Sequence, residues 1–115
     1  MTSAGARAEA LAADYLIRQG LAIVARNFRT RAGEIDLIAR DGRMLVFVEV
    51  RLRSSRAYGG AAESITPRKR ARLVAAASGY LASLRDEPPC RFDAILMDAL
   101  DPGAIEWRRD VLAVD

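Results

Sequence analysis

The sequence contains no histidine, one cysteine, one tryptophan and a single lysine. Without histidine there can be no Ser-His-Asp triad, no Cys-His pair, no zincin site and no His-ligated metal centre. Any catalysis would rest on carboxylates, Lys or Arg, hydroxyls or a bound cation. One cysteine cannot form an intramolecular disulfide, and Cys90, just after Pro88-Pro89, reads as a packing residue at the mouth of a strand. Long apolar runs are missing too. Glu9, Asp14 and Arg18 interrupt the N-terminal region, so no signal peptide is expected, and no segment approaches the roughly 18 apolar residues of a membrane span. The expected setting is a reducing cytoplasm, away from membranes.

The 115 residues suit a single domain over 1–115, large enough to bury roughly two thirds of the surface of its unfolded chain. Its core is expected over residues 4–98, with an edge strand and tail over 104–115. A net charge of +3 and a pI near 9.6 suit an anionic partner without naming one. Seventeen of the eighteen basic residues are Arg, and Lys69 is the exception. With abundant Ala, this is the compositional drift of a GC-rich genome.

The chain is organised around GEIDLIARDGRMLVFVEVRLR, Gly33 to Arg53, which reads as a β-hairpin. Asp41-Gly42 is a two-residue turn signal, since both residues tolerate positive φ. That loop pairs Arg40 with Arg43, Ile38 with Leu45, Asp36 with Phe47 and Glu34 with Glu49. Alternation then places Glu34, Asp36, Ile38, Leu45, Phe47, Glu49 and Arg51 on one face, and Ile35, Leu37, Val46, Val48 and Val50 on the other. The first face sets Glu34 against Glu49, with Asp36 diagonal, a repulsive arrangement unless a cation lies between the carboxylates.

Around the hairpin, Ala8, Leu11, Ala12, Tyr15 and Leu16 repeat at helical spacing after the N-cap candidate Ser3, predicting a helix over 4–19 that Gly20 ends. Glu9 lies at the edge of its apolar stripe. Residues 21–30 read as a strand, and 54–65 as a mobile loop able to close over a substrate or merely connect elements. Thr66 and Pro67 open a second helix whose stripe is Leu73, Ala77, Tyr80, Leu81 and Leu84, ending before Pro88-Pro89. Arg68, Lys69, Arg70 and Arg72 crowd its first two turns, where the helix dipole disfavours cations by up to about 1 kcal/mol each. A bound phosphate would reverse that sign; a solvated basic face is the plainer alternative. Residues 91–100 read as a strand parallel to a neighbour, and 104–108 as an edge strand with Ile105 and Trp107 on one side. The fold class is α/β, a central mixed sheet flanked by helices.

Two or three carboxylates with open positions suit Mg²⁺ or Mn²⁺, and the usual employment of such a site is phosphodiester hydrolysis. Arg51, two residues beyond Glu49, would hold a phosphate oxygen. Decoration of a solvated face is the competing reading, but Leu45 and Phe47 share that face and require cover.

GEIDLIARDGRMLVFVEVRLR, preceded by AEALAADYLIRQGLAIVARNFR and followed by TPRKRARLVAAASGYL and RFDAI, resembles the bacterial YraN-type family. That family is itself similar to restriction-endonuclease-like PD-(D/E)XK nucleases, especially Holliday junction resolvases. The resemblance implies an αβββαβ core, Asp36 and Glu49 as metal-binding acids, Glu9 on the first helix completing the set, and Glu34 as a further acid at a matching position. It also points to a nucleic-acid partner, DNA before RNA, with branched or damaged structures as the candidate substrates; symmetric cutting of branched DNA would call for a homodimer. The departure is Arg51, where the family pattern has Lys. A guanidinium stays charged but is a wide fork, whereas an ammonium is a compact point charge. Arg51 is therefore either a product of the Arg-for-Lys drift or the mark of a non-catalytic nucleic-acid-binding module on a decayed nuclease core. Lys69 is one source of the missing ammonium. A protein-interaction domain with a basic helix is the third reading.

Overall fold

A computed structural model describes residues 3–53 and 65–112. Helix α1, Ala4–Arg18, begins where Ser3 Oγ accepts the Ala6 N–H at 3.1 Å and ends before Gly20, whose φ of +97° suits a residue without Cβ. Strands β1 (Ala22–Arg29), β2 (Glu34–Asp41) and β3 (Met44–Leu52) follow as an antiparallel meander. Helix α2, Pro67–Ala82, starts under the Thr66 cap, Oγ1 accepting the Lys69 N–H at 3.2 Å. It stops five residues before the Pro-Pro pair, where Ser83 Oγ donates to the Tyr80 carbonyl at 2.6 Å. Strand β4 (Cys90–Met97) returns parallel to β3 over eight residue pairs, and β5 (Ile105–Arg108) closes the edge antiparallel to β4. The sheet order is β1-β2-β3-β4-β5. This is the mixed α/β sheet and αβββαβ order expected of a restriction-endonuclease-like core, with β5 added.

Among the described residues, each sheet face carries one α-helix. Ala8, Ala12, Ala13 and Leu16 of α1 pack on Leu37, Ala39, Val46, Val48, Ile95 and Met97; the small alanines let the helix lie close to the sheet. Leu73, Ala76 and Ala77 of α2 cover Ile35, Ile38, Leu45 and Phe47, and Tyr80 meets Phe28 and Phe47 edge-on at 5.3 and 6.2 Å. The cover required by Leu45 and Phe47 is thus α2.

The hairpin register differs from the sequence expectation. Asp41 pairs with Met44, Arg40 with Leu45 and Ile38 with Phe47, so the loop is Gly42-Arg43. Only Gly42 takes positive φ (+62°). Asp41 stays in the strand, where its carboxylate accepts from Arg91 at 3.3 Å. The slip is two residues, an even number, so the faces assigned to Ile38, Leu45, Phe47, Glu49 and Arg51 survive while every cross-strand partner changes. Ile35 is a second correction. It packs with Ile38 under α2 and not with Leu37, because alternation breaks at the level of Asn27, which has φ of +51°. Phe28 and its partner Ile35 both turn toward α2 there.

Candidate active site

The β2–β3 ladder runs from Asp41–Met44 to Leu37–Val48. Among the described residues no further β2–β3 pair follows. A side chain bridges the strands at this end: Val50 N–H donates to Asp36 Oδ2 at 2.8 Å. Asp36 and Glu49 come together in one cavity at these strand ends, with Glu34 beside them, where the sequence had paired Glu34 directly with Glu49. Glu34 is exposed and pairs with Arg29 at 3.5 Å.

These three acids line one wall of a cavity of about 320 Å³, with Thr66, Arg68, Lys69, Arg72 and Leu73 of the second helix region opposite. Glu49 is nearly buried and carries two cations on one oxygen. Lys69 Nζ lies 3.0 Å from its Oε1, and Arg51 Nε lies 3.6 Å from the same atom. Among the described residues no comparable cation pairs with Asp36. Burial pushes its carboxyl up to about 7, opposed by the Val50 N–H and reinforced by repulsion from Glu49, Glu9 and Glu34. Glu9 comes from α1, on the opposite sheet face, and is close enough to feel Glu34 and Glu49. Burial first, then those charges, raise its pKa, against a hydrogen bond from the Asn27 side chain.

Of the cationic quartet, Arg68, Lys69 and Arg72 reach the cavity and Arg70 does not. Helical residues turn about 100° apart, so 68, 69 and 72 share an arc of about 100° while 70 lies about 200° from 68. Arg70 points away and donates to the Leu112 carbonyl at 3.5 Å. The loop expected over 54–65 lies, except for Ile65, outside the described residues.

Two residues had no functional signal in sequence. Asn27 supports Glu9 from a mid-strand position where the left-handed backbone suits Asn better than most residues. Gly33 holds α2 against the hairpin: a Cβ there would lie 2.1 Å from the Arg72 carbonyl oxygen and 2.7 Å from its carbon. Gly33→Ala must move the helix and with it Lys69 and Arg72. The expected cost is about 1–3 kcal/mol, read by urea denaturation; a loss below experimental error would show that the backbone contact is not tight.

The donor set is oxygen only, which suits a hard divalent cation. Among the described residues no group of three or more His, Cys, Asp or Glu side chains stands ready to hold a metal ion. Mg²⁺ does not require one, since it is commonly held by one or two carboxylates with water and substrate phosphate completing the shell. Asp36 and Glu49 meet that requirement, and their mutual repulsion favours it.

Residues 8–97 match the family described as "Uncharacterised protein family UPF0102". The chain belongs to the UPF0102 family. A UPF0102 protein of Methylobacillus flagellatus is 50% identical over 113 residues, spanning 98% of this chain and 99% of its own. UPF0102 relatives from Cupriavidus metallidurans and Nitrosomonas europaea are 56% and 49% identical, spanning 95% and 96% of this chain and 80% and 96% of theirs. The UPF0102 match takes in Glu9, Glu34, Asp36, Glu49, Arg51 and the 68–72 cluster. Also within the described residues, no helix is long and apolar enough to cross a membrane.

Proposed function

We propose that this UPF0102 protein is a metal-dependent endonuclease-like phosphodiester hydrolase acting on DNA, with branched or damaged structures as the substrate class. The observation that carries this reading is the cavity itself: paired acids, Asp36 and Glu49, stand opposite three cations, Arg68, Lys69 and Arg72. Carboxylates alone repel a phosphodiester, and cations alone would bind it without activating water; the two together suit its hydrolysis. Asp36 and Glu49 would hold Mg²⁺ or Mn²⁺, with Glu9 and Glu34 adding negative potential, and the ion would supply an activated water and neutralise phosphate charge. Arg68 and Arg72 grip the phosphate backbone beside the helix N-terminus. Arg51 backs Glu49 through their ion pair. A symmetric cut in a four-way junction would call for a homodimer.

Incubation with linear, single-stranded, flapped and four-way DNA plus Mn²⁺ tests the reading. Wild type should cut at least one substrate, and Asp36→Ala none. Equal activity in both would assign the cleavage to a contaminant. The second reading, a binding module on a decayed core, is favoured by the same absence of a ready-made acidic cage among the described residues. It predicts salt-dependent DNA binding without cleavage on any of the four substrates.

A further inference from the structure

Lys69 is the one lysine in a chain of seventeen arginines, and its Nζ rests 3.0 Å from Glu49 Oε1. That oxygen already has the Arg51 guanidinium at 3.6 Å. Among the described residues, Asp36 has the Val50 N–H as its partner and no cation paired with it. The cationic charge of the site is thus placed on one acid of the pair. We infer that Lys69 is an exchangeable counter-cation: it occupies Glu49 when no divalent ion is bound, yields that carboxylate to the ion, and then turns its freed ammonium to the substrate phosphate. This rests on the metal-dependent reading above and adds to it an order of events.

The physical grounds are local. An ammonium is a compact charge on a four-carbon stem with three rotatable donors, able to change partner with small movements, whereas the broad guanidinium of Arg51 is less adaptable. Lys69 is a third exposed and opens on the cavity, so it has room to swing. Its backbone is fixed under the Thr66 cap, so the side chain alone moves. Two cations cannot share Glu49 Oε1 with a divalent ion without strong repulsion, and the more mobile one leaves.

The consequence is a pair of effects of opposite sign. Removing the Lys69 charge should strengthen divalent-ion binding, because the ion no longer displaces an ammonium, and weaken phosphate binding once the ion is in place. Calorimetric titration of the full chain with Mn²⁺ should give an affinity about tenfold higher for Lys69→Met than for wild type, and little binding for Glu49→Gln. Anisotropy of a short single-stranded oligonucleotide with saturating Ca²⁺, an ion of the same charge and oxygen preference, should show Lys69→Met binding roughly five- to tenfold more weakly. Lys69→Gln, which keeps a hydrogen bond to Glu49, replaces Met if that variant does not fold. A purely structural Lys69 would lower both affinities together. Wild-type Mn²⁺ binding that is unchanged or weakened in the Lys69 variants overturns the exchange but leaves the metal reading standing. No Mn²⁺ binding by wild type overturns both.

Discussion

Asp36→Asn is expected to raise the melting temperature of the metal-free protein at pH 8 and to abolish its response to Mn²⁺. The folded protein holds this carboxyl near pH 7, chiefly by burial, against an ordinary value near 4 in the unfolded chain. The fold therefore prefers the protonated acid. Stability from that preference is complete below about pH 4 and is lost as pH rises toward 7, so at pH 8 the full cost of a buried charge is present. Three pH units correspond to about 4 kcal/mol; allowing for solvent screening of a partly exposed group, about 2 kcal/mol should remain. The asparagine oxygen still accepts the Val50 N–H, so the variant escapes the cost and keeps the contact. Its melting temperature should exceed wild type by about 5–10 °C at pH 8 and match it at pH 4. Millimolar Mn²⁺ should reverse the order by stabilising only wild type. A pH-independent difference between the two proteins would show that Asp36 titrates normally.

Asp93→Ala carries the largest expected loss of stability. Asp93 is 1% exposed and is the single buried charged residue among those described. Its carboxylate accepts Arg91 Nε at 3.0 Å, Trp107 Nε1 at 2.9 Å and the Asp110 N–H at 2.9 Å. It thereby ties β4 to β5 and to the segment beyond, where Val111 N–H donates to the Phe92 carbonyl. Truncation leaves Arg91, which is largely buried, and the indole N–H without this acceptor, at a cost of about 3–5 kcal/mol. Urea denaturation should show that loss, with unchanged Mn²⁺ affinity, since Asp93 does not line the acid and cation cavity. Asp93→Asn should lie between the two, retaining one oxygen acceptor without the charge. A cost below about 1 kcal/mol would mean that β5 contributes little to the folded state.

How far the candidate site was legible depended on the distance over which each relation acts. Alternation along β2 and β3 placed Asp36, Glu49 and Arg51 on one face because strand periodicity is a property of neighbouring residues. Their pairing was not legible. Asp41-Gly42 and Gly42-Arg43 are both plausible turns by local chemistry, and the choice between them involves Arg91, fifty residues away, which holds Asp41 in the strand. The slip preserved the face and removed the expected Glu34–Glu49 pairing. Ile35 was misassigned for a related reason: the backbone at Asn27 interrupts alternation in the neighbouring strand, outside any window centred on Ile35.

The helices show the same division. Ser3, Gly20, Thr66 and Pro67 mark ends through hydrogen bonds and backbone preferences spanning three or four residues, so these boundaries followed from the chain alone. Composition likewise excluded histidine chemistry and an intramolecular disulfide. By itself the sequence determined the element order, the two apolar helix stripes, the acidic hairpin face and a cationic start to α2. Tertiary structure decided which charges meet. The Gly33–Arg72 backbone contact sets α2 over the hairpin, helical geometry sends Arg70 outward, and Lys69 comes to rest on Glu49, twenty positions earlier in the chain. Such contacts depend on packing between elements, which no local propensity encodes.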